Sequence, residues 1–428
     1  MKKNIKFIDL FAGLGGTRIG FENACKKHGL QGRCVFTSEI KKSAIDTYIE
    51  NFEEAKIHGD ISKIEISEIP DFDYLLAGFP CQPFSAAGKR LGFYDTRGTL
   101  FFNIERIIKE KKPKGFLLEN VEGLASHDGG ETLKIIISNL ENLGYKTSYK
   151  IIDSSLHGVP QKRKRTYIVG RMDRYVDLDR MSNSTKVLEE VLERDKNLLE
   201  TDFTKKLFKK FKPSELYGKS IKDKRGGNNN IHSWDLEIKG SINKQQKWLL
   251  DKILRERRKK HWAGKKGIKW MDGMPLTLKE IESFVNDLFH FNINIKKELD
   301  DLVQKGYLTF EHPKKIIRKK IRDGYTSERI QDVTIEKGYN IVAGKLSFEI
   351  SKILDPKNIA PTIVATDASR LAVIDGEGIR RLTVREGLRL FGFPEWYKIN
   401  QQYSKAYDLL GNSVVVPVIA KVAERLLL

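Results

Sequence analysis

The most reactive side chain that the sequence places beside a predicted buried strand is a cysteine. The apolar residues Phe72 and 74–77 show no helical period and lead directly into residues 78–83 (GFPCQP), a pattern that predicts a buried strand followed by a loop. Reacting groups gather in the loops beyond the carboxyl ends of strands in open α/β sheets, so Cys81 is a candidate nucleophile. The alternative is an inert cysteine, because free cysteines usually behave as small apolar side chains.

A glycine-rich turn and two acidic residues suggest a nucleotide-type ligand. The turn, residues 11–17 (FAGLGGT), lies between an apolar run and a helical pattern, and glycines there let backbone amides approach a ligand. Glu39 ends an apolar run about 20 residues further on, where a carboxylate can bind ribose hydroxyls. Asp60 ends a short run, residues 57–61, and is a candidate partner for a base amino group. Ordinary tight-turn glycines and a solvated Glu39 at a helix start are the alternatives.

The elements that must position these residues alternate between strand and helix up to residue 171. Such alternation predicts a doubly wound α/β domain. The predicted strands are 5–10, 34–39, 57–61, 72–77, 116–121, 145–152 and 166–170, with helices at 19–27 and 131–143.

The length and composition of the chain indicate how many lobes it has and what kind of partner it binds. The chain has 428 residues, more than one average core, so two lobes are expected. Its 77 Lys and Arg residues against 57 Asp and Glu residues give a net charge of +20, which attracts a polyanion and makes nucleic acid the leading partner. Three cysteines without a CxxC pair argue against a disulfide framework or a zinc site. No apolar run approaches a membrane span and no signal-peptide core follows the N-terminus, so we expect a soluble, cytoplasmic protein.

The middle of the chain, about residues 172–355, loses the strand–helix alternation. Residues 255–262 and 314–322 are dense basic clusters, and Trp234, Trp248, Trp262 and Trp270 fall in the same stretch. Basic clusters with interleaved aromatics favour a DNA-facing lobe over a solvated surface with core tryptophans. Residues 281–308 have a helical pattern.

The chain regains order near its C-terminus. Residues 383–390 predict a helix capped by Thr383 with Glu386 at its third position. The apolar helix predicted at 419–427 is expected to dock on the first lobe.

Six short motifs occur along the chain: residues 9–16 (DLFAGLGG), 78–83 (GFPCQP), 119–121 (ENV), 161–165 (QKRKR), 381–386 (RLTVRE) and 411–414 (GNSV). In this order they resemble the motifs of DNA (cytosine-5) methyltransferases of the bacterial restriction-modification type. The resemblance covers residues 5–171 and about 358–428, and it does not cover most of the middle.

The resemblance implies S-adenosylmethionine as cofactor. The floor under the cofactor would be Phe11, Gly13, Leu14, Gly15 and Gly16. Glu39 would bind the ribose and Ile40 would pack on the adenine, whose edge Asp60 and Ile61 would contact. Gly78, Pro80 and Leu100 would line the pocket, and Asn412 with Ser413 would complete it.

The resemblance also implies four catalytic residues. Cys81 would attack carbon 6 of cytosine, and Glu119 would hydrogen-bond or protonate ring nitrogen 3. Arg165 would bind the cytosine carbonyl oxygen, and Arg163 would orient the base and the active-site loop. A base inside a duplex cannot reach a thiol, so the target is expected to flip out, with residues 84–97 closing over it and Lys89, Arg90 and Arg97 meeting phosphates.

The expected organisation is an S-adenosylmethionine-binding domain (1–175), a smaller basic target-recognition domain with a return segment (176–395), and a C-terminal part that completes the first domain (396–428). The expected partner is double-stranded DNA, with a cognate restriction endonuclease in the same system but no direct contact, and the chain is expected to be monomeric. Two alternatives stay open: a cytosine-5 methyltransferase acting on transfer RNA, and a non-catalytic DNA-binding protein on a degenerate scaffold. The long basic lobe favours duplex DNA, and the presence of Cys81, Glu119 and Arg165 argues for an enzyme.

Overall fold

A computed structural model describes residues 3–53, 55–79, 99–224, 226–268, 273–285, 294–321, 324–342, 348–364 and 368–428. The chain forms two compact units. The first unit comprises Met1–Arg194, Asp355–Ser369 and Leu382–Leu428, and the second comprises Asp195–Leu354 and Arg370–Arg381.

Strands and helices alternate through most of the first unit, as the sequence predicts. Its N-terminal elements are β1 (Asn4–Leu10), α1 (Gly16–Lys27), β2 (Gln31–Ser38), α2 (Lys42–Asn51), β3 (Ile57–His58), β4 (Tyr74–Gly78), α3 (Thr99–Lys111), β5 (Gly115–Val121), α4 (Glu131–Asn142), β6 (Lys146–Asp153) and β7 (Lys164–Arg171).

The second unit has short strands and helices without that alternation. In chain order they are α5 (Asp202–Lys210), β8 (Ser220–Ile221), β9 (Asn230–Ile231), α6 (Lys244–Glu256), α7 (Lys260–Lys265), α8 (Leu278–Val285), α9 (Ile295–Gln304), β10 (Leu308–Glu311), β11 (Lys314–Ile321), β12 (Gly324–Gln331), β13 (Gly338–Ile341), β14 (Lys352–Ile353), β15 (Leu371–Asp375) and β16 (Gly378–Arg381). The first unit then resumes with α10 (Val384–Leu390), α11 (Tyr403–Gly411) and α12 (Val416–Leu427).

The first unit is built on a seven-stranded sheet of order β3-β2-β1-β4-β5-β7-β6. The five strands from β3 to β5 are parallel, and β7 runs antiparallel to both of its neighbours. Strands β4 and β5 are apolar and buried, as expected where helices cover both faces of a sheet. The strand order reverses between β1 and β4, and the loops beyond such a switch point diverge to leave a crevice. The α/β prediction is confirmed, and the crevice lies where the sequence places its two main motifs.

Helix α12 packs against α1, so the structure docks the C-terminal helix as expected. A Cβ atom on Gly20 would lie 2.6 Å from the Cβ of Ile419, which shows why glycine is needed at this crossing. Among the described residues, Tyr403–Leu427 is the one segment whose length and mean hydropathy would suit a membrane span, and 67% of its most apolar window is buried inside the protein. That burial is typical of a core helix.

The cap predicted for α10 is confirmed. Thr383 Oγ1 accepts a hydrogen bond from the Glu386 amide, and the Glu386 carboxylate accepts one from the Thr383 amide. These paired bonds satisfy two of the amides that a helix start leaves without partners.

Two predictions about local structure are wrong. The helical pattern of 281–308 breaks: Asn294 caps a separate helix α9, Gly306 follows it with a φ of 80°, and Leu308 begins a strand. The predicted strand 57–61 ends at His58. Asp60 instead caps a short 3₁₀ turn, because its carboxylate accepts the Ser62 amide.

Two tryptophans of the second unit lie in its core rather than on a DNA-facing surface. Trp234 and Trp262 are buried in an apolar cluster with α6 and α9, and Trp248 packs against that cluster. Trp270 lies outside the described residues. Trp234 and Trp262 are therefore core tryptophans, as the alternative interpretation of the sequence has it.

The observed units also differ from the expected borders at 175 and 396. Residues 176–194 and 382–395 belong to the first unit. The Leu188 amide donates to Asn358 and the Thr383 hydroxyl to Glu193, so these stretches are held by first-unit contacts.

Candidate active site

The glycine-rich turn after β1 is open to a ligand at Gly13. Phe11, Gly13 and Gly15 all have a positive φ, of 55°, 54° and 72°, and a positive φ is uncommon for a residue with a side chain. A Cβ on Gly13 would find no atom within 4 Å. Gly13 is therefore needed for the turn, and the space above it is free.

Three of the other predicted floor residues pack against protein. A Cβ on Gly15 would lie 2.6 Å from the Phe52 ring, and one on Gly16 would lie 2.8 Å from the Val414 side chain. Leu14 is buried, and its carbonyl accepts a hydrogen bond from the Tyr397 hydroxyl at 2.6 Å. Leu14, Gly15 and Gly16 therefore fix the turn by packing against the rest of the protein.

Glu39 is fixed beside the turn. One carboxylate oxygen accepts the Gly13 amide at 2.8 Å, and the other accepts the amides of Ile40 and Lys41, both at 2.8 Å. A carboxylate offers about four lone-pair sites, so Glu39 can still accept from a ligand hydroxyl. Ile40 next to it is 72% exposed, which leaves an apolar side chain available for a flat ring.

Asp60 and Ile61 differ in what they can offer. Asp60 Oδ1 accepts the amide and hydroxyl of Ser62 at 3.0 and 2.7 Å, and these bonds hold the pKa of Asp60 below its usual value. The Ile61 side chain is buried in the core behind the sheet. Only the backbone of Ile61 is thus suited to meet a ligand.

Asp9, the first residue of the motif 9–16, is a buried polar residue next to the turn. Its Oδ1 accepts the Thr17 hydroxyl at 2.6 Å, and its Oδ2 has no hydrogen-bond partner among the described residues. Burial raises the pKa of Asp9 to about 7. The sequence does contain a signal that could have identified this residue, namely an aspartate inside an apolar strand.

A buried carboxyl and an arginine form the other side of the crevice. Glu119 is 8% exposed and pairs with Gly78 in the sheet, and Arg165 Nε lies 3.3 Å from Glu119 Oε1. Burial raises the pKa of Glu119, while the positive charges of Arg165 and Arg163 oppose that shift. The carboxyl is therefore biased toward its protonated form, next to the end of β4.

Asn120, which the sequence analysis did not single out, holds the backbone that leads to the predicted nucleophile. Its amide nitrogen donates to the Phe79 carbonyl at 3.0 Å. Pro80, Cys81 and the loop 84–97 lie outside the described residues. Leu100, at the first turn of α3, is half-buried.

Arg163 is buried and contacts backbone carbonyls from distant parts of the chain. It is 3% exposed, and its guanidinium donates to the backbone carbonyls of Ile363, Gly411 and Ser413 at 2.9, 3.0 and 2.7 Å. It also lies over the Phe391 ring, and burial lowers its pKa to about 10. Arg163 joins β7 to two distant segments of the first unit.

The C-terminal motif lies beside both loops of the crevice. Val414 would contact a Cβ on Gly16 at 2.8 Å and one on Gly78 at 3.8 Å. Ser413 is buried, whereas Asn412 is exposed and its amide donates to the Asp408 carbonyl. Residues 412–414 thus close the crevice from the far end of the chain.

Known proteins resemble this chain over its whole length. The family model of C-5 cytosine-specific DNA methylases matches residues 5–427. The chain is 53% identical to the type II methyltransferase M.NlaIV of Neisseria lactamica over 99% of both chains. It is 42% identical to the type II methyltransferase M.BanI of Aneurinibacillus aneurinilyticus over 99% of this chain and 95% of that one. The structure of the Entamoeba histolytica methyltransferase EhMeth is similar in fold, with 17% identity, a TM-score of 0.52 and coverage of 99% and 98%.

The family match extends over all three segments of the first unit and over the second unit. The fold, with its crevice at the switch point, agrees with that match. The chain belongs to the C-5 cytosine-specific DNA methylase family and is a DNA (cytosine-5) methyltransferase.

Proposed function

We propose that this enzyme methylates carbon 5 of a flipped-out cytosine within a short recognition sequence of duplex DNA, and that it does so through a covalent adduct with Cys81. The observation that carries the proposal is the buried Glu119 carboxyl, with a raised pKa, 3.3 Å from Arg165 and opposite the end of β4. A protonated carboxyl beside a cation suits a neutral ring that gains negative charge when a thiol adds to it.

The roles follow from the chemistry of cytosine. Carbon 5 is a poor nucleophile until the Cys81 thiolate bonds to carbon 6. Glu119 donates its proton to nitrogen 3, and Arg165 binds the carbonyl oxygen, so both offset the charge that builds on the ring. After methylation the proton on carbon 5 passes to solvent, the sulfur–carbon bond breaks, and the nitrogen 3 proton returns to Glu119.

Several residues of the crevice fit S-adenosylmethionine, which supplies the methyl group when bound. The free space above Gly13 accommodates a ligand close to the backbone. Glu39, with about one acceptor site remaining, suits a ribose hydroxyl, and the exposed Ile40 suits an adenine ring. Asp60 is placed to accept from the adenine amino group, and residues 412–414 would close over the ligand.

We further propose that the second unit selects the DNA sequence and that the enzyme protects host DNA in a restriction-modification system. The type II relatives are 53% and 42% identical over nearly the whole chain, which supports this role. A cognate endonuclease would share the target sequence without needing to contact this chain, and we propose that the enzyme acts as a monomer.

Expression in a methylation-deficient host tests the proposal. We expect bisulfite sequencing of the recovered genome to show 5-methylcytosine at one short recurring motif. Cys81→Ser is the matched control and should leave the genome unmodified while the protein still binds DNA. Unmodified DNA from soluble wild-type protein that binds S-adenosylmethionine would contradict the proposal and favour transfer RNA or an inactive scaffold.

A further inference from the structure

Strands β11 and β12 form a two-stranded antiparallel ribbon in the second unit. The pairing is continuous from Lys314 opposite Gln331 to Ile321 opposite Gly324. Among the described residues, neither strand pairs with a third strand. Eight residues a strand give a ribbon of about 27 Å.

The ribbon has little packing of its own. Ile316 is 45% exposed, and Lys315, Lys319 and residues 326–329 are exposed. No described residue of β11 or β12 belongs to the apolar clusters of the second unit. An isolated two-stranded hairpin is only marginally stable in water. Packing against the core of the second unit therefore does not explain why the ribbon is present.

Charge indicates the partner. Residues 314–331 contain seven Lys and Arg residues against two Asp and Glu residues. The Lys319–Glu328 ion pair, at 2.5 Å, joins two exposed groups and contributes little to stability. A ribbon with this excess of positive charge fits a polyanion better than an apolar protein surface.

One face of the ribbon carries groups that can distinguish bases. Residues directly opposite each other in an antiparallel pair share a face, which places Ile316 with Arg329 and Lys314 with Gln331 on the same side. Arg pairs with guanine through two hydrogen bonds, Gln pairs with adenine, and an apolar side chain contacts the thymine methyl group. Ile316, Arg329 and Gln331 are exposed.

We propose that the β11–β12 ribbon lies in the major groove of the target DNA and reads part of the recognition sequence with this face. The inference rests on the proposed function, because it takes duplex DNA as the substrate. A major groove about 12 Å wide admits a two-stranded ribbon. Lys315 and Lys319, on the opposite face, are then placed to contact phosphates.

The test compares Arg329→Ala with Lys319→Ala in the full-length enzyme, using fluorescence anisotropy on the mapped target duplex and on a scrambled duplex over a range of salt concentrations. We expect Arg329→Ala to weaken target binding on the order of 10-fold while leaving the scrambled duplex nearly unchanged. Lys319→Ala should weaken both duplexes similarly and lower the salt slope by about 1. Both residues are exposed, and calorimetry with S-adenosylmethionine checks that each variant is folded.

Equal affinity of wild type and Arg329→Ala for the target duplex would overturn the inference, as would an equal loss on both duplexes. If Arg329→Ala does not fold, Arg329→Lys replaces it, since lysine lacks the paired donors. Failure of the wild-type enzyme to methylate any DNA would instead contradict the proposed function, so the two failures are distinguishable.

Discussion

The ends of β5 and β7 and the β11–β12 ribbon hold their polar groups in opposite ways. Around Glu119, Arg163 and Asn120 the polar atoms are buried, and hydrogen bonds or ion pairs fix them. On the ribbon, Lys315, Lys319 and Arg329 are exposed. Buried, fixed groups cost little reorganisation during a reaction, whereas exposed charges attract a polyanion from a distance. We therefore propose that the first region carries the chemistry and the ribbon carries DNA recognition.

Within the first region, the two arginines of the motif 161–165 differ in the groups that they contact. Arg165 lies next to the Glu119 carboxyl, and Arg163 ends on three backbone carbonyls. Arg163 lies just before β7, and Arg165 is the second residue of that strand. From their partners we propose that Arg165 acts on the base and that Arg163 positions the chain.

The largest effect should come from Glu119→Gln, which removes the proton that nitrogen 3 receives. We expect kcat to fall about 10²–10⁴-fold, with binding of S-adenosylmethionine unchanged. Because burial raises the pKa of Glu119, wild-type kcat should fall as pH rises through that pKa and the carboxyl loses its proton. Glu122→Gln, on an exposed residue near the same strand end, is the control. An unchanged kcat in Glu119→Gln would remove Glu119 from the chemistry.

Arg163→Ala should destabilise the protein, since three buried carbonyls lose their donor. Each such loss costs about 1–3 kcal/mol, so we expect a clear fall in Tm and at least about 10-fold weaker binding of S-adenosylmethionine without DNA. Arg165→Ala is the matched comparison and should lower kcat with little effect on either quantity. If Arg163→Ala lowered kcat alone, the base-orienting role expected from the resemblance would be correct.

Asn120→Ala should have a smaller effect, because it releases one backbone carbonyl, that of Phe79, and one backbone amide, that of Val121. We expect kcat to fall roughly 10-fold through looser placement of Cys81, with the KM for S-adenosylmethionine nearly unchanged. Asn358→Ala, whose side-chain amide donates to Asp355 at an exposed site, serves as the control for catalysis. Equal kcat in wild type and Asn120→Ala would show that the bond is not needed there.

Of these variants, Asp9→Asn should have the smallest effect on kcat. Its main effect should be on the pH dependence of the free energy of unfolding. The pKa of Asp9 is about 7 in the fold against 3.8 for the free side chain, so the native state binds a proton that the unfolded state releases. The free energy of unfolding should therefore fall as pH rises from about 4 to 7. Urea unfolding across this range should show a flatter dependence for Asp9→Asn. The same slope in both proteins would contradict the buried, protonated state of Asp9.

Much of the fold could be predicted from the sequence. The run 116–121, the glycines after β1 and the Thr383–Glu386 cap depend on local patterns, and local patterns set strands, turns and helix starts. The break at Asn294 was missed because Ile295 to Leu302 keeps a helical period. The antiparallel direction of β7 depends on pairing across the sheet, which no local pattern encodes.

The residues of the candidate site also fall into two groups: those that local patterns identify and those that depend on contacts between distant positions. Glu39, Glu119 and Arg165 could be identified from motif and spacing, since strand ends bring them to one edge. Asn120 and the carbonyl partners of Arg163 could not, because these contacts join positions 41 to 250 residues apart. Asp9 needed its burial to be known before its raised pKa was evident.

Covalent capture of the enzyme on DNA tests the central claim most directly. A duplex whose target cytosine carries fluorine at carbon 5 cannot lose a proton there after methylation, so the sulfur–carbon bond should persist. We expect wild-type enzyme with S-adenosylmethionine to form a complex that survives denaturation, Glu119→Gln to form it slowly, and Cys81→Ser to form none. A wild-type enzyme that methylates the normal duplex yet leaves the fluorinated one unbound would contradict the account.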